Sequence, residues 1–314
     1  LPRSSWLAPP PITTAIEVAA RRVAVVEAGR SASGLTIARE AVAALPEGAV
    51  APALSGENII DPAAVADAIR AALERAGMGS VRRAALIVPD SIARVALVPF
   101  EQVPARRREL DELLRWQLRR TMPFSIDEAV VTHFPASTTE PGAVVAAVVA
   151  RRDVVAQYEA VLASVGIHAG LVDLASFNVM NAAIASGGAV EGDWLLVHLA
   201  GDAATLAILR GRSLMFYRHR PALDDETIGA LVHQTAMYHE DRLGGGAFAR
   251  VWLCGSGTAA DDARQEIGRR LGLAAGTVDV RNAATWPDTS APAGDGFDAL
   301  AAPVGLLLRD RDAA

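Results

Sequence analysis

With 314 residues, 51% hydrophobic, 5% aromatic and 21% charged, the chain has the composition of a folded protein of one large or two medium domains, its core built from Ala, Val and Leu. A net charge of -6 excludes a domain-wide nucleic-acid face, and the single Cys254 excludes both a disulfide framework and a cysteine zinc site. The longest apolar run, 143–150, falls far short of the roughly 20 residues a bilayer span needs, and 1–11 lacks a secretory-type apolar segment, so a cytoplasmic location is expected.

In chain order, β-rich runs at 12–17, 23–29 and 35–42 are joined by short turns and predict an antiparallel meander. A helix follows with Asp61 as N-cap, Pro62 as its first residue and Gly77 as its stop. Val65, Ile69, Ala72, Leu73 and Ala76 share one face of it and predict packing on a sheet. A buried strand is expected at 84–88. The stretch from 91 to about 150 reads strand, helix, strand, strand, with its helix running from Pro104 to about Met122. A helix at 153–165 stopped by Gly166, a strand at 171–174 and a helix at 175–185 lead to Ser186-Gly187-Gly188, the expected hinge.

The second half repeats this pattern. Strands at 194–199, 205–209 and 213–219 precede a helix at 224–243 ended by Gly244-Gly245-Gly246. A strand at 250–254, a helix at 261–271, a short strand at 277–280, an exposed loop over 282–296 and a helix at 299–308 complete it. Two copies of meander–helix–strand–helix describe an α/β, actin-like or ribonuclease-H-like duplicated fold. The first lobe would be 12–186, with a small α+β subdomain inserted at about 90–150. The second lobe would be 187–314, its last helix packing back on the first.

One stretch is more specific. Pro89-Asp90-Ser91, Arg94 and Val98-Pro99 precede Glu109-Leu110, Trp116-Gln117, Met122-Pro123-Phe124 and Asp127-Glu128. This order resembles the inserted subdomain of the PilM family, the actin-like cytoplasmic proteins of type IV pilus assembly. In that family a "PGS…R…MP" strand pair precedes an "EL…EA…YIPF" helix and acidic residues. Weaker support comes from 45–77 and 250–257.

The resemblance implies nucleotide loops, and here they are degenerate. Where the family has a "G-I-D-I-G-S-S-S-I-K" type segment, this chain has Glu17 for the aspartate, Ala19 for the glycine, Ala20, Arg21 and Arg22 for the serines and Ala24 for the lysine. In the second loop His198 stands for the aspartate, followed by Ala200, Gly201 and Asp202. Only the adenosine-type turn Gly255-Ser256-Gly257 is recognisable. An imidazole is a poor Mg²⁺ ligand, and a Cβ at Ala19 obstructs backbone approach to phosphate. No lysine occurs anywhere in the chain, so none can neutralise a phosphate. The expectation is a pseudo-ATPase without ATP or Mg²⁺. The alternative is a working ATPase with Glu17 and Asp202 serving the metal.

Arg106, Arg107, Arg108, Arg115, Arg119 and Arg120 lie among Glu109, Asp111 and Glu112 and read first as a solvated face with i,i+4 pairs. Docking is the alternative. The family holds the cytosolic N-terminal peptide of the inner-membrane protein PilN in a groove between insert and parent lobe. By resemblance, Leu97, Phe100, Trp116, Arg119, Arg120, Met122 and Phe124 would wall that groove here. His233 and His239, six apart, are ordinary helix residues, and no nucleophile, Walker or His-Glu-x-x-His motif occurs. The implied function is a scaffold at the inner face of the inner membrane, held there by a PilN-like bitopic partner, beside the pilus motor ATPase and without inserting in the bilayer. A GspL-like or FtsA-like assembly protein is the third class.

Overall fold

The computed structural model describes residues 12–31, 34–139, 142–187, 191–222, 227–286 and 294–309. The opening 1–11, Gly188 of the expected hinge, the expected helix start at 224–226, most of the loop from 287 to 293 and the polar end after Arg309 lie outside them.

The chain opens with β1 (Thr14–Val18), β2 (Arg22–Ser31) and β3 (Gly34–Ala44), an antiparallel meander. Helix α1 (Pro62–Arg75) begins where Asp61 Oδ1 accepts the Ala64 N–H at 2.9 Å, and it ends at Gly77, whose φ of 66° suits glycine. It leads to β4 (Arg83–Val88), parallel to β1. Every residue of β1 is buried, as expected of a central strand covered on both faces. Alternation divides that burial. Ile16, Val18, Leu86 and Val88 pack with Val65, Ile69 and Leu73 of α1, whereas Ala15, Ala85 and Ile87 face the core shared with the second half.

The chain then leaves the sheet. β5 (Ala93–Phe100), α2 (Arg107–Leu118), β6 (Ala129–Thr139) and β7 (Gly142–Arg151) form a three-stranded antiparallel unit in the order β5-β7-β6. Helix α2 starts later than Pro104 and stops before Met122. Thr121 Oγ1 donates to the Leu118 carbonyl at 2.9 Å and closes its end. Leu110, Leu114 and Leu118 bury against Val98, Phe100, Val145 and Val149. The chain returns through α3 (Arg152–Ser164), β8 (His168–Leu174) and α4 (Ala175–Gly187), completing a sheet in the order β3-β2-β1-β4-β8.

The same order recurs. β9 (Asp193–Ala200), β10 (Ala203–Arg210), β11 (Ser213–Arg220), β12 (Arg250–Cys254) and β13 (Ala275–Thr277) make the sheet β11-β10-β9-β12-β13. Its helices are α5 (Ile228–Leu243) and α6 (Thr258–Leu271). The last strand is earlier than the expected 277–280, where Val280–Asn282 instead forms a 3₁₀ turn capped by Asp279. The final helix α7 (Ala301–Arg309) packs on α4 and the first sheet. A Cβ on Gly305 would stand 1.8 Å from the Asn178 carbonyl oxygen, so only glycine permits this approach. Thr285 adds to the edge of the first sheet by exchanging 2.9 Å backbone bonds with Leu35 and Ile37.

Candidate functional site

The two halves leave a cleft of about 360 Å³ near the carboxyl ends of β1, β4 and β9. Eight expected loop residues line it: Glu17, Ala19, Ala20, Arg21, His198, Ala200, Gly201 and Asp202. Gly255, Ser256 and Gly257 are not among its lining residues. They form the turn into α6, where a Cβ on Gly255 (φ 149°) would come within 2.9 Å of the Leu199 Cβ.

Groups that would face an anion are committed elsewhere. The Ala19 N–H donates to the Arg22 carbonyl at 2.9 Å, closing the β1–β2 hairpin on itself. Arg22 lies 3.4 Å from the buried Glu17 carboxylate, and Arg21 pairs with the exposed Glu47 at 3.3 Å. His198 is buried, its Nδ1 3.6 Å from Asp90 Oδ2 and without a hydrogen-bond partner. Among the described residues no group of three or more His, Cys, Asp or Glu could hold a metal ion.

Asp90 is the centre of a network that sequence reasoning missed. It follows β4 and is buried. Asp90 Oδ1 accepts from the Ser176 N–H at 3.1 Å and the Ser176 hydroxyl at 2.7 Å, and Oδ2 accepts from the Thr205 hydroxyl at 3.1 Å. Burial works against the charge, but the neighbouring His198, the charge of His219 and the Ser176 bond outweigh it and hold Asp90 below the usual carboxylate range. Thr205 Oγ1 is 2.8 Å from His219 Nδ1, and His219 Nε2 is 2.9 Å from Ser91 Oγ. Burial lowers the His219 pKa, with Asp90 opposing and His198 adding to the shift. One signal was available in the sequence. The two hairpins of the second meander set Thr205 opposite both His198 and His219, one row across three strands.

A second and larger cavity, about 590 Å³, lies between insert and first lobe. Val130, Thr132, Phe134 and Val148 of the insert form one wall, and Leu171, Val172, Phe177 and Met180 another. Leu209, Arg212 and Leu214 of the second lobe close one side, and Arg309 pairs with Asp173 at its rim.

None of the seven residues expected to wall a peptide groove lines this cavity. Phe100 is buried under α2, Met122 and Phe124 flank the same core, and Leu97 packs toward the core between the lobes. Trp116 is 72% exposed, Arg120 is exposed, and Arg119 pairs with Asp127 at 3.5 Å. For Phe100 the reason is strand parity, whereas Leu97 shares the inner face but sits on β5, at the edge of the sheet away from β6. Helix α2 covers the outer face of the insert's sheet, and the cavity opens on its inner face.

Two sheets of identical order, related by duplication and interrupted by an insert after β4, define an actin-like fold. Solved structures agree. A PilM-PilN type IV pilus biogenesis complex superposes with a TM-score of 0.81 at 17% identity, covering 96% of this chain and 99% of that one. A Bacteroides thetaiotaomicron protein with an actin-like ATPase fold and unknown function gives 0.50 at 9% identity, covering 94% of each chain. No curated protein sequence matches significantly. The family model for type IV pilus assembly protein PilM matches residues 15–239, and the chain belongs to that family. Among the described residues no helix is long and apolar enough to cross a membrane.

Proposed function

We propose that this protein is a scaffold of the type IV pilus machine that seats the cytosolic N-terminal peptide of a PilN-like bitopic membrane protein, and that it does so without turning over ATP. The observation that carries the reading is the 590 Å³ apolar cavity between insert and first lobe. Two of its walls are sheet edges: β6 ends the insert's sheet and β8 ends the first-lobe sheet. An extended peptide would gain backbone bonds along such an edge and anchor apolar side chains on Phe134, Phe177 and Met180. The similar solved structure is itself a complex with PilN. Such a partner would place the protein at the inner face of the inner membrane.

The interlobe cleft supports the other half of the proposal. ATP with Mg²⁺ is the ligand implied by the fold, and the residues present do not fit it. Glu17 is neutralised by Arg22, the opposite acidic position is His198, and the Ala19 amide is used within its own hairpin. Asp202 does line the cleft, which keeps the ATPase reading testable.

Titration calorimetry with a synthetic peptide spanning the cytosolic N-terminus of the PilN protein from the same genome tests the scaffold role. Binding to wild type and at least tenfold weaker binding to Phe134→Asp are expected. Equal binding by both would move the peptide elsewhere. A thermal shift of several degrees on adding ATP·Mg²⁺, abolished in Glu17→Gln, would defeat the pseudo-ATPase reading.

A further inference from the structure

The Asp90 network contains more than a buried carboxylate, because its protons can be assigned. The Ser176 hydroxyl donates to Asp90, so at 3.0 Å the Tyr217 hydroxyl must donate to Ser176. The Thr205 hydroxyl also donates to Asp90, so it accepts the Nδ1–H of His219. That leaves Nε2 of the neutral ring bare, and it accepts the Ser91 hydroxyl proton. Every proton in the chain has one direction. Asp90, Ser91 and Ser176 belong to the first lobe, whereas Thr205, Tyr217 and His219 belong to the second. Three hydrogen bonds therefore cross between the lobes at the floor of the cleft that the expected nucleotide loops line.

The same elements reach the apolar cavity. Phe177, next to Ser176 on α4, lines it and meets Phe134 of the insert edge-on at 5.2 Å and Tyr217 at 5.5 Å. Leu214, on the same strand as Tyr217 and His219, is part of the cavity's second-lobe side.

We propose that this directed chain is a ligand-free latch between the lobes, which holds the second-lobe side of the peptide cavity in place and so sets its affinity for the partner. The inference rests on the cavity being the peptide site. Thr205 acts in it as a positioning residue, touching no peptide. The latch makes lobe closure independent of nucleotide, because side chains supply the contacts that span the cleft. Breaking it frees Leu209 and Leu214 to move away and leaves a cavity with one side missing.

Thr205→Val keeps the shape of the side chain and removes its hydroxyl, and Thr205→Ser restores the hydroxyl. Peptide affinity measured by calorimetry should fall about tenfold in the valine variant, within the range of ordinary coupling free energies, and stay within twofold of wild type in the serine variant. Ser91→Ala cuts only the last link and should weaken binding by less, in the same direction. Hydrogen exchange at the β1–β2 and β9–β10 turns reads the latch without any peptide and should accelerate in Thr205→Val alone of the two Thr205 variants. Wild-type peptide affinity and unchanged exchange in a folded Thr205→Val protein would overturn the latch. Faster exchange with unchanged affinity would overturn its link to the cavity. Failure of wild type to bind peptide would instead remove the cavity reading, while the exchange measurement still decides the latch.

Discussion

Asp90 follows β4 and Asp173 lies on β8, the adjacent parallel strand, yet the fold treats the two carboxylates in opposite ways. Asp90 receives three hydrogen bonds and stands beside His198, so its charge is stabilised despite burial. For Asp173 burial dominates and raises the pKa. The Arg309 pair and the Leu174 N–H, which it accepts at 2.9 Å, offset this only in part. The difference separates the two cavities. The cleft is a place where polar groups are committed to one another across a lobe boundary. The larger cavity is lined by apolar side chains and bordered by two sheet edges, with one ion pair at its rim.

Removing the better-held carboxylate should have the largest effect. Asp90→Ala leaves the Ser176 and Thr205 hydroxyls without their acceptor and removes the carboxylate beside His198. Breaking a buried charged network this way costs about 3 kcal/mol or more. Denaturant unfolding should show that loss, and a variant within 1 kcal/mol of wild type would mean that the network contributes little to stability. Asp173→Asn, by contrast, removes a charge that burial already disfavours and should cost under about 1 kcal/mol.

Gly305→Ala probes the seam beneath both cavities. Its new methyl would overlap the Asn178 carbonyl, so α7 must shift away from α4. Overpacking of this kind costs about 1–3 kcal/mol, and unfolding midpoints would report it. An unchanged midpoint would show that the two helices separate freely.

Those contrasts also show what the sequence could carry. The duplicated element order, the cap at Asp61 and the stop at Gly77 were legible because they rest on local chemistry. So were eight of the eleven cleft positions, because hairpin turns bring their own residues to one end of a sheet. Of the latch, only the Thr205–His219 row was legible. Its members come from the turn after β4, from α4, β10 and β11, and no spacing along the chain announces that Ser91 meets His219 across 128 residues. The residues expected to wall the peptide groove show a different limit. Resemblance places them along the 91–100 strand and the 115–124 segment, but alternation along β5 sends Phe100 under α2 and Leu97 to the opposite face. Residue type alone does not reveal which face of a three-stranded sheet a second layer will cover.

Acidification sharpens the comparison with a smaller signal. His219 titrates below its ordinary value of 6.5 in the folded protein, so the unfolded chain binds more protons in the window just below that value. Stability should therefore decline as pH falls from about 7.5 to 5.5, by less than about 1.4 kcal/mol per unit for this one group. His219→Gln should flatten that part of the slope. Asp90 has a lowered folded pKa, so its contribution persists through this window and is lost only below the ordinary carboxylate value of 3.8. Asp173 has the opposite sign: its raised folded pKa lets stability rise as pH falls toward 3.8. A His219→Gln protein with the wild-type slope would shift responsibility to another group.

The smallest expected effect belongs to Trp116, and it separates the two faces of the insert. Its side chain is 72% exposed on the outer side of α2, and the cavity opens on the inner side of the same sheet. Trp116→Ala should leave stability within about 0.5 kcal/mol, as for other exposed positions, and leave peptide affinity within twofold. Phe177→Ala, on the inner side, should lower that affinity because it removes the ring between Phe134 and Tyr217. If Trp116→Ala instead weakens peptide binding more than Phe177→Ala does, the peptide runs over the helical face of the insert. The inner cavity would then be a packing gap between lobes and no longer a candidate seat for the partner.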